Sequence, residues 1–158
     1  FPVEKIDHIY LESYCDHLRR EGVPVKPGLF ELLSFLDERG LSRAVATSTY
    51  RERAELKLRG AGLEGRFQAV VCGDEVTRGK PEPDIFIEAS RRLAVDPSNC
   101  LVLEDSGPGV MAAACAGMKA ILVPDLVPPG EETRILVEGV CESLHEARVL
   151  IEKMLPPL

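Results

Sequence analysis

Four short apolar runs, at residues 43–47, 68–72, 100–104 and 119–123, are separated from one another by stretches long enough to hold a helix. Runs of about five apolar residues between turn formers are short for buried helices and read as strands covered on both faces. Strands that alternate with helices are joined by crossovers, which makes the sheet parallel. The expected fold is therefore α/β, a three-layer Rossmann-like parallel sheet with helices on both faces.

The intervening segments support this. Leu29, Leu32, Leu33 and Leu36 share one helical face over residues 29–39, and Gly40 stands where a stop belongs. Thr49 and Glu52 have capping-box spacing and are expected to open a helix reaching Gly60. Pro83 suits the first turn of a helix to about Leu93. Residues 109–116 form a small-residue helix ended by Gly117, and residues 124–131 read as a proline-rich loop. A short strand near Val140 and a helix over 143–154 complete the alternation. Upstream, Ile6, Ile9, Tyr10, Tyr14 and Leu18 predict a helix over residues 3–21, and the prolines of Val23-Pro-Val-Lys-Pro-Gly28 make an extended connector. The expected division is thus residues 1–22 as one small helical part and 23–158 as the α/β core.

Composition removes several functions. A net charge of −7 and the lack of a basic cluster argue against a nucleic-acid surface. No apolar stretch approaches bilayer-spanning length, so no membrane partner is expected. Cys15, Cys72, Cys100, Cys115 and Cys141 are widely spaced, with no Cys-x-x-Cys, and are expected to be reduced core thiols of a cytoplasmic protein. His8, His17 and His145 fall in predicted helices and are expected to be structural or solvent-facing.

The run Leu101-Val-Leu-Glu-Asp-Ser-Gly-Pro-Gly-Val110 carries the chemistry, because it ends in two adjacent carboxylates. Glu104 and Asp105 at a strand tip suit Mg²⁺, which takes carboxylate oxygens and fills its other positions with water and phosphate oxygens. Successive residues of a strand face opposite ways, so Asp105 is the expected direct ligand and Glu104 its neighbour or a water-mediated one. In open parallel sheets ligands bind beyond the carboxyl ends of the strands. Thr47 ends the first run, Lys80 lies in the loop after the second, and both would share that rim with Asp105. A hydroxyl at Thr47, the Ser48 N–H beside a helix start and the Lys80 ammonium make a phosphate-binding set.

With these residues in place, the chain resembles the haloacid dehalogenase-like hydrolases, in the branch that includes β-phosphoglucomutase and phosphoglycolate phosphatase. The matching pieces are Ala44-Val-Ala-Thr47-Ser-Thr, Gly79-Lys80-Pro-Glu-Pro-Asp-Ile-Phe86 and the acidic run 101–110. The resemblance covers residues 23 to about 125. It implies that Thr47 and Ser48 bind phosphate oxygens, that Lys80 holds the phosphoryl group and nucleophile, and that Asp105 beside Glu104 binds Mg²⁺. It also implies a small phosphorylated metabolite as substrate and an aspartyl-phosphate route.

The family's first motif, Asp-x-Asp-Gly-Thr on the central strand, does not occur in the 158 residues, and no Asp-x-Asp does. Residues 1–22 resemble only the last helix of the family's helical cap. The chain opens with Phe1, and its first methionine is Met111. The expectation is the C-terminal part of a longer, monomeric enzyme, inactive as it stands, with the central strand missing between those of Thr47 and Asp105. A phosphohexomutase would use the same motifs, and a non-catalytic phosphate-binding domain would lack the nucleophile altogether. A phospho-receiver domain places its acidic residues before its Thr and Lys, opposite to the order here.

Overall fold

The computed structural model describes Arg20, residues 22–125, Pro128 and residues 130–156. The helix expected over residues 3–21, with Cys15, His8 and His17, lies outside the described residues. Six helices and five strands follow in chain order among those described. They are α1 (Leu29–Glu38), β1 (Ala44–Thr47), α2 (Arg51–Gly60), β2 (Ala69–Cys72), α3 (Asp84–Leu93), β3 (Leu101–Glu104), α4 (Gly107–Cys115), β4 (Lys119–Leu122), α5 (Glu131–Arg134), β5 (Gly139–Val140) and α6 (Leu144–Met154).

All strand pairing is parallel, as the helical crossovers require. The strands do not form one sheet. β1 pairs with β2, with Thr47 opposite Cys72, while β3, β4 and β5 form a second sheet in that order. Between β1 and β3 there is no pairing, so each strand keeps one inner edge without a ladder partner among the described residues.

Two apolar clusters hold these pieces in layers. On one face Val71 of β2 and Val102 of β3 pack with Ile85, Phe86 and Ala89 of α3 and Ala112 and Ala113 of α4. This cluster draws residues from both sheets, so the two are joined through a common helical layer despite the missing ladder. On the other face Leu32 and Phe35 of α1 and Ala147 and Ile151 of α6 cover Ile121 of β4. Helices therefore lie on both faces, in the three-layer arrangement expected from the alternating pattern.

Two local expectations are corrected. Thr49 does not cap α2: the N-cap is Tyr50, which makes no side-chain cap bond, and the Arg51 N–H is bonded instead by Asp74 Oδ1 at 3.0 Å. A capping box needs its hydroxyl one residue before the helix, and the helix starts too late for Thr49 to serve. The expected proline-rich loop ends where the short helix α5 begins, at Glu131 of the Glu-Glu-Thr-Arg sequence after Gly130. Cys72 and Cys141 are buried thiols, but Cys115 at the end of α4 is exposed. Among the described residues no helix is long and apolar enough to cross a membrane.

The turn after β2, Gly73–Glu75, ties three elements together. Glu75 accepts hydrogen bonds from Arg51 of α2, from Arg92 of α3 at 3.2 Å and from the Cys72 N–H at 2.8 Å. Burial opposes ionisation of Glu75, but these donors outweigh it and hold its carboxyl at about 2, below its ordinary 4.5. A depressed carboxyl stabilises the fold above its unfolded value, and that contribution fades as pH falls toward the folded value. Glu75→Gln is expected to lower stability by about 1–2 kcal/mol near neutral pH, allowing for solvent screening. Urea titrations should show the gap between wild type and variant narrowing between about pH 4.5 and 2.

Candidate active site

Parallel register brings the carboxyl ends of β1 and β3 to the same rim, and a cleft of about 420 Å³ opens there. Its lining includes Thr47, Ser48, Lys80, Glu104 and Asp105, all five of the site residues singled out in the sequence. Lys26, Ser106 and Leu144 also line it.

Lys80 occupies the space between the two sheets. Its ammonium donates to the Ala46 carbonyl of β1 at 3.3 Å and to Glu104 Oε1 at the end of β3. The same nitrogen lies 4.9 Å from the centre of the Phe86 ring, a cation–π contact from α3. An ammonium has three N–H donors, so two bonds leave one for the cleft. The loop that delivers it runs Gly79-Lys80-Pro81, with a cis peptide bond before Pro81.

Glu104 is buried, with 7% of its surface exposed, so its charge requires several partners. Besides Lys80 it has three donors: the Asp105 N–H at 3.2 Å, the Ser106 N–H at 3.3 Å and the Ser106 hydroxyl at 2.9 Å, all on Oε2. Ser106 in turn accepts from the Gly109 N–H and caps α4. Glu104 thus sits at a helix N-terminus, where backbone donors and the dipole both favour an anion.

Asp105 differs. It is exposed, and its carboxylate has no hydrogen bond or ion pair among the described residues. Both acids line the cleft: Glu104, the last residue of β3, is buried and bonded to Lys80, and Asp105, one residue past the strand, is exposed. Among the described residues no three His, Cys, Asp or Glu side chains converge. Among the described residues, the carboxylates at the cleft that could hold a cation are the Asp105–Glu104 pair. That donor set fits Mg²⁺, which is commonly held by one or two carboxylates with water and substrate oxygens completing the octahedron.

Across the cleft, at the end of β1, the Thr47 hydroxyl accepts from the Thr49 N–H at 3.1 Å. Accepting that bond leaves its own proton available to an oxyanion. His145, at the start of α6, is exposed and does not line the cleft.

Sequence reasoning missed Lys26 and Asp125. Lys26 was legible only as part of a connector, yet its ammonium bonds the Pro124 carbonyl and Asp125 Oδ1, both at 3.2 Å. It thereby fastens the connector to the loop after β4. The only sequence signal was a cation between two prolines, Pro24 and Pro27.

The haloacid dehalogenase-like hydrolase family matches residues 2–117, most of the chain. The chain belongs to that family. A bifunctional riboflavin kinase/FMN phosphatase of Arabidopsis thaliana is 43% identical over 156 residues, covering 97% of this chain and 40% of the plant protein. A phosphorylated carbohydrates phosphatase of Thermotoga maritima is 36% identical over 126 residues, covering 80% of this chain and 51% of its own length. Among solved structures, CbbY from Rhodobacter sphaeroides in complex with phosphate superposes with a TM-score of 0.82 at 30% identity, over 92% of this chain and 66% of that one. The chain thus spans about half or less of the two curated relatives' lengths.

The Glu104 arrangement makes one sharp demand. A methyl group at Gly109 would collide with the Glu104 carboxylate, so that carboxylate can reach the start of α4 only over a glycine. Gly109→Ala is expected to cost about 1–3 kcal/mol by overpacking, seen as a lower melting temperature. An unaltered melt would mean that Glu104 rests elsewhere.

Proposed function

We propose that this chain is the phosphate- and Mg²⁺-binding part of a phosphatase acting on a small phosphorylated metabolite through an aspartyl phosphate. The observation that carries the reading is the convergence of Thr47, Lys80 and Asp105 on one rim, above a slot between β1 and β3, which have no strand between them among the described residues. In this proposal a strand from polypeptide beyond the 158 residues fills the slot and brings the nucleophilic aspartate beside Lys80.

The chain's own residues then have separate tasks. The Thr47 hydroxyl and the Ser48 N–H donate to non-bridging phosphoryl oxygens and fix the ester for in-line attack. Lys80, held by Glu104 and Ala46, points its remaining N–H at the phosphoryl group and the incoming carboxylate. Its charge reduces repulsion between two anions that must approach each other. Mg²⁺ would be held by Asp105 with Glu104 beside it, and when bound it supplies charge neutralisation at the phosphoryl oxygens. Glu104 acts chiefly by orienting Lys80.

Kinship with an FMN phosphatase and a carbohydrate phosphatase supports phosphate monoesters as the substrate class. Both FMN and sugar phosphates belong in the first assay panel.

The test is turnover of p-nitrophenyl phosphate and that panel by the enzyme expressed with the coding sequence preceding Phe1. Lys80→Ala should lower kcat by roughly a hundredfold or more, the scale of losing a preorganised charge at a phosphoryl group. Asp105→Asn should remove most of the Mg²⁺-dependent rate. Residues 1–158 alone should release no phosphate. Full activity from these residues alone, or from Asp105→Asn, would refute the proposal.

A further inference from the structure

The loop that presents Thr47 and Ser48 has little in its own sequence to hold it. Ser48 and Tyr50 are exposed, and α2 starts without a cap from its own segment. Support comes instead from the turn after β2. The Gly73 N–H donates to the Thr49 carbonyl at 3.1 Å. The Gly73 Cα lies flat against Ser48: a methyl group there would approach the Ser48 carbonyl carbon to 2.9 Å and its oxygen more closely still. Asp74 Oδ1 accepts from the Arg51 N–H at 3.0 Å, so it serves as the missing cap of α2. The next residue, Glu75, grips the Arg51 side chain and anchors it to Arg92 of α3.

We infer that Asp74, with Gly73 beneath it, is a positioning residue for the phosphate-binding loop 47–49. The inference rests on the phosphatase reading given above. Neither residue lines the cleft, so neither touches a ligand there. Their action runs through Thr49. Its carbonyl is held by Gly73, and its N–H is the donor that orients the Thr47 hydroxyl. When Asp74 is lost, the first turn of α2 has an unpaired N–H and frays. The Thr49 N–H then drifts from Thr47, whose hydroxyl rotates away from the bound oxyanion.

The same contacts assign a side to each defect. A loosened loop weakens the grip on phosphate but leaves Lys80 and Asp105 in place, because both belong to other elements. The loss should therefore fall on phosphate affinity more than on the chemical step.

The experiment uses the enzyme with its preceding coding sequence and reads two quantities, ester turnover and the dissociation constant of inorganic phosphate by calorimetry. Asp74→Ala is expected to raise both KM and the phosphate Kd roughly five- to tenfold, the scale of a lost cap, with kcat within about twofold. Asp74→Asn, an equally good cap, should restore both. Combining Asp74→Ala with Thr47→Val should add little to Thr47→Val alone, because the first acts through the second. The structural control is Asp96→Ala. Asp96 caps the turn before β3 by accepting from the Ser98 N–H at 2.9 Å, so this variant should lower the melting temperature without moving KM or Kd.

A phosphate Kd for Asp74→Ala equal to wild type would overturn the inference while leaving the phosphatase reading intact. The same holds for a rise that Asn does not reverse, or one that Asp96→Ala reproduces. A wild-type enzyme that neither binds phosphate nor cleaves any ester would overturn both.

Discussion

A single ammonium spans the place where the described residues form no backbone ladder. Lys80 reaches from the Ala46 carbonyl on one sheet to the Glu104 carboxylate on the other. The contact is polar, partly buried and close to the cleft, so its geometry sets the distance between the two carboxyl-terminal rims. Most neighbouring features can be read as conditions for it. Ser106 and the start of α4 satisfy the second oxygen of Glu104, Gly109 leaves room for that carboxylate, and Phe86 backs the ammonium. A buried ion pair is a weak source of stability because desolvation offsets much of the attraction. Its value here is orientation, with one N–H left facing the cleft.

The apolar core complements this arrangement from below. Val71 and Val102 belong to different sheets but share one cluster with α3 and α4. The helical layer therefore fixes the relative position of β1 and β3 even though their inner edges are unpaired. Packing supplies the coarse placement, and the Lys80 bridge with the Glu75 network refines it. Chemistry and scaffold are divided accordingly. Side chains that contact the cleft come from strand ends and loops, whereas the residues that hold those loops lie one turn behind.

Much of this was legible in the sequence because it rests on local pattern. Apolar runs of strand length located β1 to β4 to within a residue of the expected limits, and leucine spacing located α1. The shared rim of Thr47, Lys80 and Asp105 followed from a general property of parallel sheets rather than from any one motif. What escaped was contact between segments distant in sequence. Thr49 and Glu52 look like a capping box, but the actual cap, Asp74, is supplied by another loop. Lys26 looks like a linker residue, and only the fold brings it to Asp125, 99 positions away. Cys115 follows an alanine run that reads as core, yet α4 turns that position outward. Local composition predicts elements; it carries no record of which loop a neighbouring loop will meet.

The open slot between β1 and β3 has a practical corollary for handling the protein. The inner edges of β1 and β3 carry peptide groups without a ladder partner among the described residues, and pairing through such groups does not discriminate strongly by side chain. Any unstructured polypeptide at high concentration competes for that berth, including the tail of a neighbouring molecule. Preparations of the core by itself should therefore self-associate as they are concentrated, through main-chain bonding that salt does little to relieve.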